Sequence, residues 1–510
     1  MKTGFGTALV VLLVARPERA SAQLFRVDEL TIAGIHSGLE AGRFSCRELT
    51  EKYLDRIEAY DEKGPALNAI VVVNPKALER ADELDREFAR DGITRPLQCV
   101  PTIVKDNYDT FDLPTTAGSL SLEGSTPQDD SFQVKRIREA GAIVLAKSNM
   151  AEFAFTPYET LSSIGYGHTR NPYDPERVPA GSSGGTAAAV ASSFGAVGLG
   201  TDTGNSIRGP SSHTALVGIR STMGLTSRDG IVPLNLYRDI GGPMARTVVD
   251  AVTVFDVIAG SDPNDPVTAR ADERKPRSYL SSLTRDGLRG ARIGVVRQLS
   301  NTETADPEIL ALFEKALADL ARHGAEIVDP VTIAALDSKE SLWCNPFKSQ
   351  LEDYLGSLGE AAPVKTLKEI FDSGKYHPSI AMRLDEALEI VNSPEEECQK
   401  ADAAASKMRD EVRALLTSER LEALVYPSWS NPPRLLGDLN SPHGNNSPRL
   451  SPPTGFPAVT VPMGFVTGDL PAGLQFLGDA YSEATLFRLA YAYEQATLHR
   501  HPPASTPPLW

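Results

Sequence analysis

Residues 180–209 read AGSSGGTAAAVASSFGAVGLGTDTGNSIRG, and the rest of the chain is organised around them. The run is rich in Gly, Ser, Thr and Ala, so its backbone amides can approach a bound molecule closely. Hydroxyl groups lie at both ends, at Ser182 and Ser183 and again at Ser206. The small apolar residues at 186–194 predict one short buried helix that returns the chain from the first hydroxyls to the second. The stretch therefore predicts two serine sites facing one cavity.

Familiar loop motifs fit this stretch poorly. Residues 181–185 satisfy G-x-S-x-G, the nucleophile elbow of α/β-hydrolases, but that elbow must follow a strand. Residues 171–179 contain three prolines and no apolar strand. No Gly-Lys-Ser or Gly-Lys-Thr completes a phosphate loop, and GAVGLG at 195–200 lacks the preceding strand of a dinucleotide fingerprint. A glycine-rich turn without chemistry stays the alternative to a serine site.

Two buried-strand patterns end in a lysine. Residues 97–104 read LQCVPTIV and are followed by Lys105, while AIVLA at 142–146 is followed by Lys147. A lysine at the tip of a core strand needs a paired charge or a lowered pKa, and a neutral lysine is a base. Lys147 is thus a rival base to Lys105. The alternative for either lysine is a solvated surface turn, the commoner fate of this residue type.

The order of predicted elements indicates the fold class. The capping box at 45–48, SCRE, opens a helix, and further helical patterns alternate with the strands. This alternation predicts an α/β fold with a large mixed, mostly parallel β-sheet covered by helices on both faces. Functional sites of such sheets gather at the carboxyl ends of the strands, where Lys105 is expected.

The chain resembles the amidase signature family of serine hydrolases. The resemblance lies in VPTIVKDN at 100–107, GSSGG at 181–185, GTDTGNSIRGPS at 200–211 and the 24-residue step from Ser182 to Ser206. It extends from about residue 27 to residue 497. It implies the amidase signature fold as a single domain over 23–510, without cofactor or metal. The region of about 333–420, with aromatics such as Trp343, is expected to cover the substrate.

Position by position, the resemblance implies a Ser-cisSer-Lys triad. Ser206 is the implied nucleophile, Ser182 bridges from a cis peptide bond, and Lys105 is the base that takes the proton through Ser182. The oxyanion hole is expected at the backbone amides of Thr203, Gly204, Asn205 and Ser206.

Asn205 departs from the family, which most often has a glycine before the nucleophile. Its side chain is expected to reach toward the active site, where it could favour a polar acyl substituent. The substrate pocket is expected to include Met150, Ser183 and Asn205. Asp202 and Arg208 are expected to pair and hold the loop, with a weak surface salt bridge as the alternative. His213 is interpreted as a local hydrogen-bonding residue.

The implied activity is cofactor-free hydrolysis of small-molecule amides, esters or carbamates through an acyl-enzyme on Ser206. The alternative is the glutamine-hydrolysing subunit of a tRNA-dependent amidotransferase, which shares the signature. A catalytically dead binding protein is disfavoured because all three triad positions are retained. A monomer or homodimer is expected.

Charge and the N-terminal sequence bear on partners and compartment. The chain has 51 basic and 67 acidic residues, a net charge of −16, which argues against nucleic acid as a partner. Residues 5–14 are apolar but too few to span a membrane, and Ala20-Ser21-Ala22 follows them. This pattern resembles a signal peptide over residues 1–22, which predicts a periplasmic or secreted protein, or a cytoplasmic one if the segment is not cleaved.

Cysteine usage predicts no covalent scaffold. The four cysteines are scattered without a C-x-x-C pair, which suggests neither a zinc site nor a disulfide framework. Cys99 is interpreted as a small apolar core residue. Export would allow one incidental disulfide.

Overall fold

The computed structural model describes residues 25–389 and 394–509, so the predicted signal peptide at 1–22 lies outside the described residues. The strands are β1 (Ile70–Val73), β2 (Pro101–Lys105), β3 (Ile143–Ser148), β4 (Leu161–Ser162), β5 (Gly167–His168), β6 (Val197–Thr201), β7 (Val217–Arg220), β8 (Gly241–Ala245), β9 (Arg292–Val295), β10 (Glu326–Val328), β11 (Ala423–Pro427), β12 (Ala458–Val466) and β13 (Leu470–Leu477). The α-helices are α1 (Ile32–Glu40), α2 (Cys46–Ile57), α3 (Ala77–Asp91), α4 (Phe132–Glu139), α5 (Gly184–Ala191), α6 (Arg208–His213), α7 (Val248–Ile258), α8 (Ala271–Arg274), α9 (Pro307–Arg322), α10 (Phe347–Ser357), α11 (Leu367–Ser373), α12 (Ala381–Leu388), α13 (Pro394–Ser418), α14 (Ser451–Thr454) and α15 (Glu483–Thr497).

Within the described ranges, eleven strands form one sheet in the order β1-β3-β2-β6-β8-β7-β12-β13-β11-β9-β10. Pairing is parallel within β3-β2-β6 and within β11-β9-β10, and it is antiparallel at the other junctions. The predicted α/β class and large mixed sheet are confirmed, but less of the pairing is parallel than predicted. The reason is connection length: residues 467–469 join β12 to β13 directly, and a turn that short allows only antiparallel pairing.

The central strands are covered on both faces. Every residue of β2, β3 and β6 is buried. Successive side chains of a strand point to opposite faces, so burial of all of them requires packing on both sides of the sheet. Helices α5 and α7 supply part of this cover through contacts with β6 and β8. A residue at the end of β2 is therefore shielded from water.

The predicted helix between the two hydroxyl clusters is confirmed. It is α5, and all eight of its residues are buried. Its small side chains let it pack closely on the sheet, and Gly198 of β6 would collide with Thr186 if it carried a side chain. This close packing brings the residues before α5 and those after β6 to the same edge of the sheet.

The capping box is also confirmed. The Ser45 hydroxyl accepts from the Glu48 amide at 3.1 Å, and the Glu48 carboxylate accepts from the Ser45 amide at 2.9 Å. These bonds fix the first turn of α2, where Cys46 faces Cys99 from the segment before β2.

The cysteine prediction is wrong, because the structure pairs all four. Cys46 bonds to Cys99 with the two Cα atoms 5.3 Å apart, and Cys344 bonds to Cys398 with a separation of 4.9 Å. Both separations lie in the usual disulfide range. Each bond closes a separation of more than fifty residues, and sequence spacing alone does not reveal such pairings.

The predicted covering region at 333–420 contributes α10, α11, α12 and α13. An apolar cluster joins α10 to the main body, where Phe347 packs edge-on against Phe155 with the ring centroids 4.6 Å apart. In the part of the chain that the structure describes, no helix is both long and apolar enough to cross a membrane.

Candidate active site

Lys105 lies at the end of β2 beside Thr201, the last residue of β6. The two strands are parallel neighbours, with Val104 opposite Leu199, so their carboxyl ends meet at one edge. The Lys105 side chain is fully buried. Its Nζ lies 2.8 Å from the Ser182 Oγ and donates to the Thr201 Oγ1 at 2.7 Å. The predicted lysine and bridging serine are therefore in direct contact.

The surroundings of Lys105 favour its neutral form. Burial lowers the pKa of its amine to about 7, although Asp202 and Asp239 pull in the opposite direction. Asn107 also donates to the Thr201 Oγ1, at 3.1 Å. Thr201 therefore serves as the acceptor for two donors, which directs an N–H of the lysine toward Thr201. The lone pair of a neutral amine is then left for Ser182.

Ser182 is held next to the nucleophile segment. The Gly181–Ser182 peptide bond is cis, as the resemblance implies. A Cβ at Gly181 would overlap the backbone carbonyl of Glu159, so no larger residue fits there. The Ser183 amide, directly after Ser182, donates to the Ser206 carbonyl at 3.3 Å. This bond joins the two serine segments.

Ser206 lines a cavity with a volume of about 270 Å³. It is 5% exposed. Across residues 25–389 and 394–509, its hydroxyl forms no hydrogen bond, so the contact with Ser182 that proton transfer requires is not made in this conformation. Catalytic hydrogen bonds are often long in ligand-free structures and tighten when substrate binds.

The predicted oxyanion residues border the same cavity. The lining includes the consecutive residues Thr203, Gly204, Asn205 and Ser206. None of their four backbone N–H groups donates a hydrogen bond to another described residue. Free amides beside a nucleophile can stabilise the negative oxygen of a tetrahedral intermediate. Their placement therefore fits the predicted role.

A buried ion triad fixes the loop that carries Ser206. Asp202 accepts from the Arg208 Nε at 3.0 Å and from the Arg220 Nη1 at 3.2 Å, and all three side chains are fully buried. Burial alone would raise the pKa of Asp202, but the two guanidinium groups outweigh it and hold that pKa below its usual range. The predicted pairing of Asp202 with Arg208 is present, but it lies in the core rather than at the surface.

The expectation for the Asn205 side chain is wrong. Its Nδ2 donates to the Gly181 carbonyl at 2.9 Å, and its Oδ1 accepts from the Trp429 Nε1 at 2.8 Å. The residue is 1% exposed, so the amide points into the protein and is not free to bind an acyl group. Gly209 leaves room for this position, because a Cβ there would overlap the Asn205 amide.

Asn205 borders the cavity as expected, but the other two expected pocket residues, Met150 and Ser183, do not line it. Met150 is fully buried. The Ser183 Oγ donates to the Thr201 carbonyl at 3.2 Å, behind the nucleophile loop. Both sit close to the triad in the fold without facing the open space.

Sequence reasoning missed most of the cavity wall. The lining also contains Phe155, Tyr158, Leu234, Trp343, Arg383, His443, Asn445 and Pro448. These residues come from segments far apart in the chain and belong to no motif. Of these residues, the sequence points only to Trp343, as one of the aromatics in the 333–420 region that is expected to cover the substrate.

Lys147 is buried rather than solvated. Its Nζ donates to the carbonyls of Tyr108 and Pro114 at 2.8 and 2.9 Å and lies 3.6 Å from the Asp106 carboxylate. Burial lowers the pKa of Lys147, and the carboxylates of Asp106 and Asp109 oppose this shift. Its amine contacts neither Ser182 nor Ser206 among its described partners, which makes it a poor rival to Lys105. The sequence predicts that His213 forms local hydrogen bonds, but in the structure its ring packs on Trp429, with the ring centroids 4.6 Å apart.

No group of three or more His, Cys, Asp and Glu side chains in the described ranges could hold a metal ion.

Comparison with known proteins places this site in a family. The family model described as Amidase matches residues 48–487. A probable amidase from Arabidopsis thaliana is 33% identical over 97% of this chain and 95% of its own length. A glutamyl-tRNA(Gln) amidotransferase subunit from Symbiobacterium thermophilum is 34% identical over 92% of this chain and 97% of its own length.

Solved structures agree with the sequence matches. The native peptide amidase from Stenotrophomonas maltophilia superimposes with a TM-score of 0.84 at 37% identity and covers 93% of this chain and 98% of its own. The amidase relative and the peptide amidase support amide hydrolysis as the class of reaction. This chain belongs to the amidase signature family.

Proposed function

We propose that the protein hydrolyses amides through an acyl-enzyme on Ser206, with Lys105 as the base and Ser182 as the proton bridge. One observation carries the proposal: a fully buried lysine amine, with its pKa lowered to about 7, lies 2.8 Å from the Ser182 hydroxyl. An amine in that state can accept a proton at neutral pH. A surface lysine could not.

The reaction proceeds in two halves. In the first, the Ser206 Oγ attacks the amide carbon while its proton passes to the Ser182 Oγ and the Ser182 proton passes to the Lys105 Nζ. The amides at 203–206 hold the oxygen of the tetrahedral intermediate. The C–N bond then breaks as the proton returns through Ser182 to the leaving amine. In the second half, water attacks the ester by the same proton route and releases the acid.

The cavity wall bears on the substrate class. Phe155, Tyr158 and Trp343 give it an aromatic surface, and Arg383 is the one Asp, Glu, Lys or Arg among its described lining residues. Aromatic walls favour flat or apolar groups, and a guanidinium favours a carboxylate or carbonyl. We propose peptide-like amides with an apolar or aromatic acyl part, in keeping with the similarity to a peptide amidase. Esters and carbamates of the same shape are proposed side substrates.

A substrate panel tests the proposal. Peptide C-terminal amides, p-nitroanilides, esters and carbamates are offered to the parent and to Ser206→Ala. The matched control is Ser192→Ala, since Ser192 is a buried serine at the far end of α5 whose hydroxyl has no partner among the described residues. We expect Ser206→Ala to abolish hydrolysis and Ser192→Ala to retain it. Equal activity of parent and Ser206→Ala would overturn the proposal.

A second candidate is glutamine hydrolysis within a tRNA-dependent amidotransferase. It is favoured by the 34% identity to a glutamyl-tRNA(Gln) amidotransferase subunit over nearly the whole of both chains. The same panel separates the two candidates when glutamine is added to it. Activity confined to glutamine, together with co-purification of a second polypeptide of the amidotransferase, would support this candidate and exclude the peptide-amide proposal.

We also propose that the protein is exported. The two disulfides support this proposal, because such bonds persist mainly in oxidising compartments. The mass of the mature protein tests it: we expect a chain beginning at Gln23 in the exported fraction. Full-length protein retained in the cytoplasm with four free thiols would contradict it.

A further inference from the structure

A second cavity lies beside Trp343, outside the active-site cavity. Its volume is about 330 Å³, within the range of small-molecule sites. The Cys344–Cys398 disulfide forms part of its wall. Trp343 and Arg238 lie between the two cavities. Trp343 borders the active-site cavity, and Arg238 lines the second cavity. The Arg238 guanidinium lies 5.3 Å from the centre of the Trp343 ring.

Arg238 has unused hydrogen-bonding capacity. Among the described residues, its guanidinium forms no hydrogen bond and no ion pair, and it stacks on the Trp343 ring. Burial lowers the pKa of Arg238 to about 10, so the group is still a cation at neutral pH. A partly buried guanidinium normally satisfies its N–H donors with carboxylates or carbonyls. The donors of Arg238 are therefore left for a molecule bound in the cavity.

The other cations of the wall are already engaged. The Arg409 Nε donates to the Thr454 carbonyl at 2.9 Å, and the Arg413 Nε donates to the Asp479 carboxylate at 3.1 Å. They contribute positive potential without competing for the same ligand atoms. Asp402 also lies 3.6 Å from Arg409, so three arginines face two carboxylates, Asp402 and Asp479, and one positive charge is left over, that of Arg238. Arg238 therefore gives the cavity a cation that can pair with a bound anion.

Apolar side chains form part of the remaining wall, which also includes Thr222 and Thr454. Met223, Leu342 and Phe456 line it, and the half-exposed Tyr237 lies at its edge. A planar guanidinium matches the two oxygens of a carboxylate, and an apolar wall accepts a hydrocarbon body. We propose that this cavity binds a small organic carboxylate, with its carboxylate on Arg238 and its apolar part against Met223 and Phe456. The acids released by amide hydrolysis belong to this chemical class.

Calorimetric titration with phenylacetate tests the site. The protein is the full-length Ser206→Ala variant, which lacks the proposed nucleophile and so avoids turnover, and phenylacetamide serves as the neutral probe of the same shape. Arg238→Gln is added to remove the guanidinium. Arg289→Gln, a change of the same charge at an exposed residue outside the cavity, is the matched control.

We expect phenylacetate to bind at least about tenfold more tightly than phenylacetamide, because a charged hydrogen-bond pair is lost with the neutral probe. Arg238→Gln should weaken phenylacetate by a similar factor, and Arg289→Gln should change it by less than about twofold. Phenylacetate bound in the active-site cavity instead would bind equally well to Arg238→Gln, which would overturn the proposal. If Arg238→Gln does not fold, equal affinity for the two probes overturns it on its own.

Discussion

Lys105 ends a strand in which all five residues are buried, and its amine contacts two hydroxyl groups. Desolvation disfavours the charged form of an amine, and this effect dominates the pKa of Lys105 despite the two aspartates nearby. The chemistry of the site thus depends on the position of one side chain in the sheet rather than on an unusual residue.

The pH dependence of turnover follows from that pKa. Below about pH 7, Lys105 is protonated and cannot accept the Ser182 proton, so kcat/KM should fall as the pH is lowered through about 7 and reach a plateau above it. Lys105→Ala should lose about 10²- to 10⁴-fold in kcat at pH 8. The measurement is a set of steady-state rates from mildly acidic to mildly alkaline pH at constant ionic strength. A rate that stays level across this range would rule out Lys105 as the titrating base.

The Asn205 side chain connects the loop that carries Ser206 to the segment that carries Ser182. Its amide joins the Gly181 carbonyl, next to Ser182, to Trp429. Asn205→Gly removes both bonds, and we expect kcat to fall by about tenfold while KM changes little, since the amide does not face the substrate. Trp429→Phe keeps an aromatic side chain and removes one of the two bonds, so its effect should be smaller. A change in KM alone for Asn205→Gly would show that the side chain contacts substrate after all.

The strand and helix patterns indicate that Lys105 and the two serine segments lie at one edge of the sheet, because Lys105 ends a buried strand and the serines bracket one short helix. The choice of Lys105 over Lys147 rests on the resemblance to the amidase signature family. Neither the patterns nor the resemblance was enough for the rotamer of Asn205. That rotamer depends on Trp429, which is 224 positions away in the chain. No local pattern could indicate such a partner, and the expectation of a side chain in the cavity failed for this reason.

Buried ion pairs connect the loop between β6 and α6 to the core. Asp202 receives bonds from Arg208 and Arg220 and from the Ile207 amide. The loop therefore presents its free amides at 203–206 without needing a partner for them elsewhere.

Arg208→Met should destabilise the protein strongly. It leaves Asp202 buried with one guanidinium fewer, and breaking a buried pair in this way costs about 3–5 kcal/mol. Arg289→Met is the control, because the exposed Arg289 pairs with the exposed carboxylate of Asp286 and such pairs contribute at most about 1 kcal/mol. Urea unfolding measures both. Similar losses for the two variants would mean that the buried triad does not hold the loop.

Element order was predicted better than strand direction. The buried strands at 101–105 and 143–148 and the helix at 184–191 were clear from their apolar patterns. Strand direction depends on how the chain returns between strands, and long-range junctions such as β7 with β12 leave no mark in the local sequence.

At the scale of the whole molecule, two disulfides hold different parts of the chain. Cys46–Cys99 ties α2 to the segment before β2, while Cys344–Cys398 ties the residue after Trp343 to α13. Only the second is next to the active-site cavity. The aromatic wall is thus assembled by contacts that neither composition nor cysteine spacing could predict.

Removing the disulfides one at a time separates stability from binding. Each serine pair should lose about 2–5 kcal/mol of unfolding free energy. Cys344→Ser with Cys398→Ser should also raise KM, because Trp343 loses its anchor, whereas Cys46→Ser with Cys99→Ser should leave KM unchanged. Thermal unfolding and steady-state kinetics give the two readouts. A KM that rises equally in both double variants would contradict the assignment of Trp343 to the substrate wall.

The central claim is that Ser206 becomes a nucleophile because Lys105 accepts its proton through Ser182. The most direct measurement is the rate and position of labelling by a fluorophosphonate at pH 8, read by peptide mass spectrometry. We predict a single adduct on Ser206 in the parent and a rate at least about 100-fold lower in Lys105→Ala. An adduct on another residue, or an equal labelling rate in the two proteins, would contradict the account.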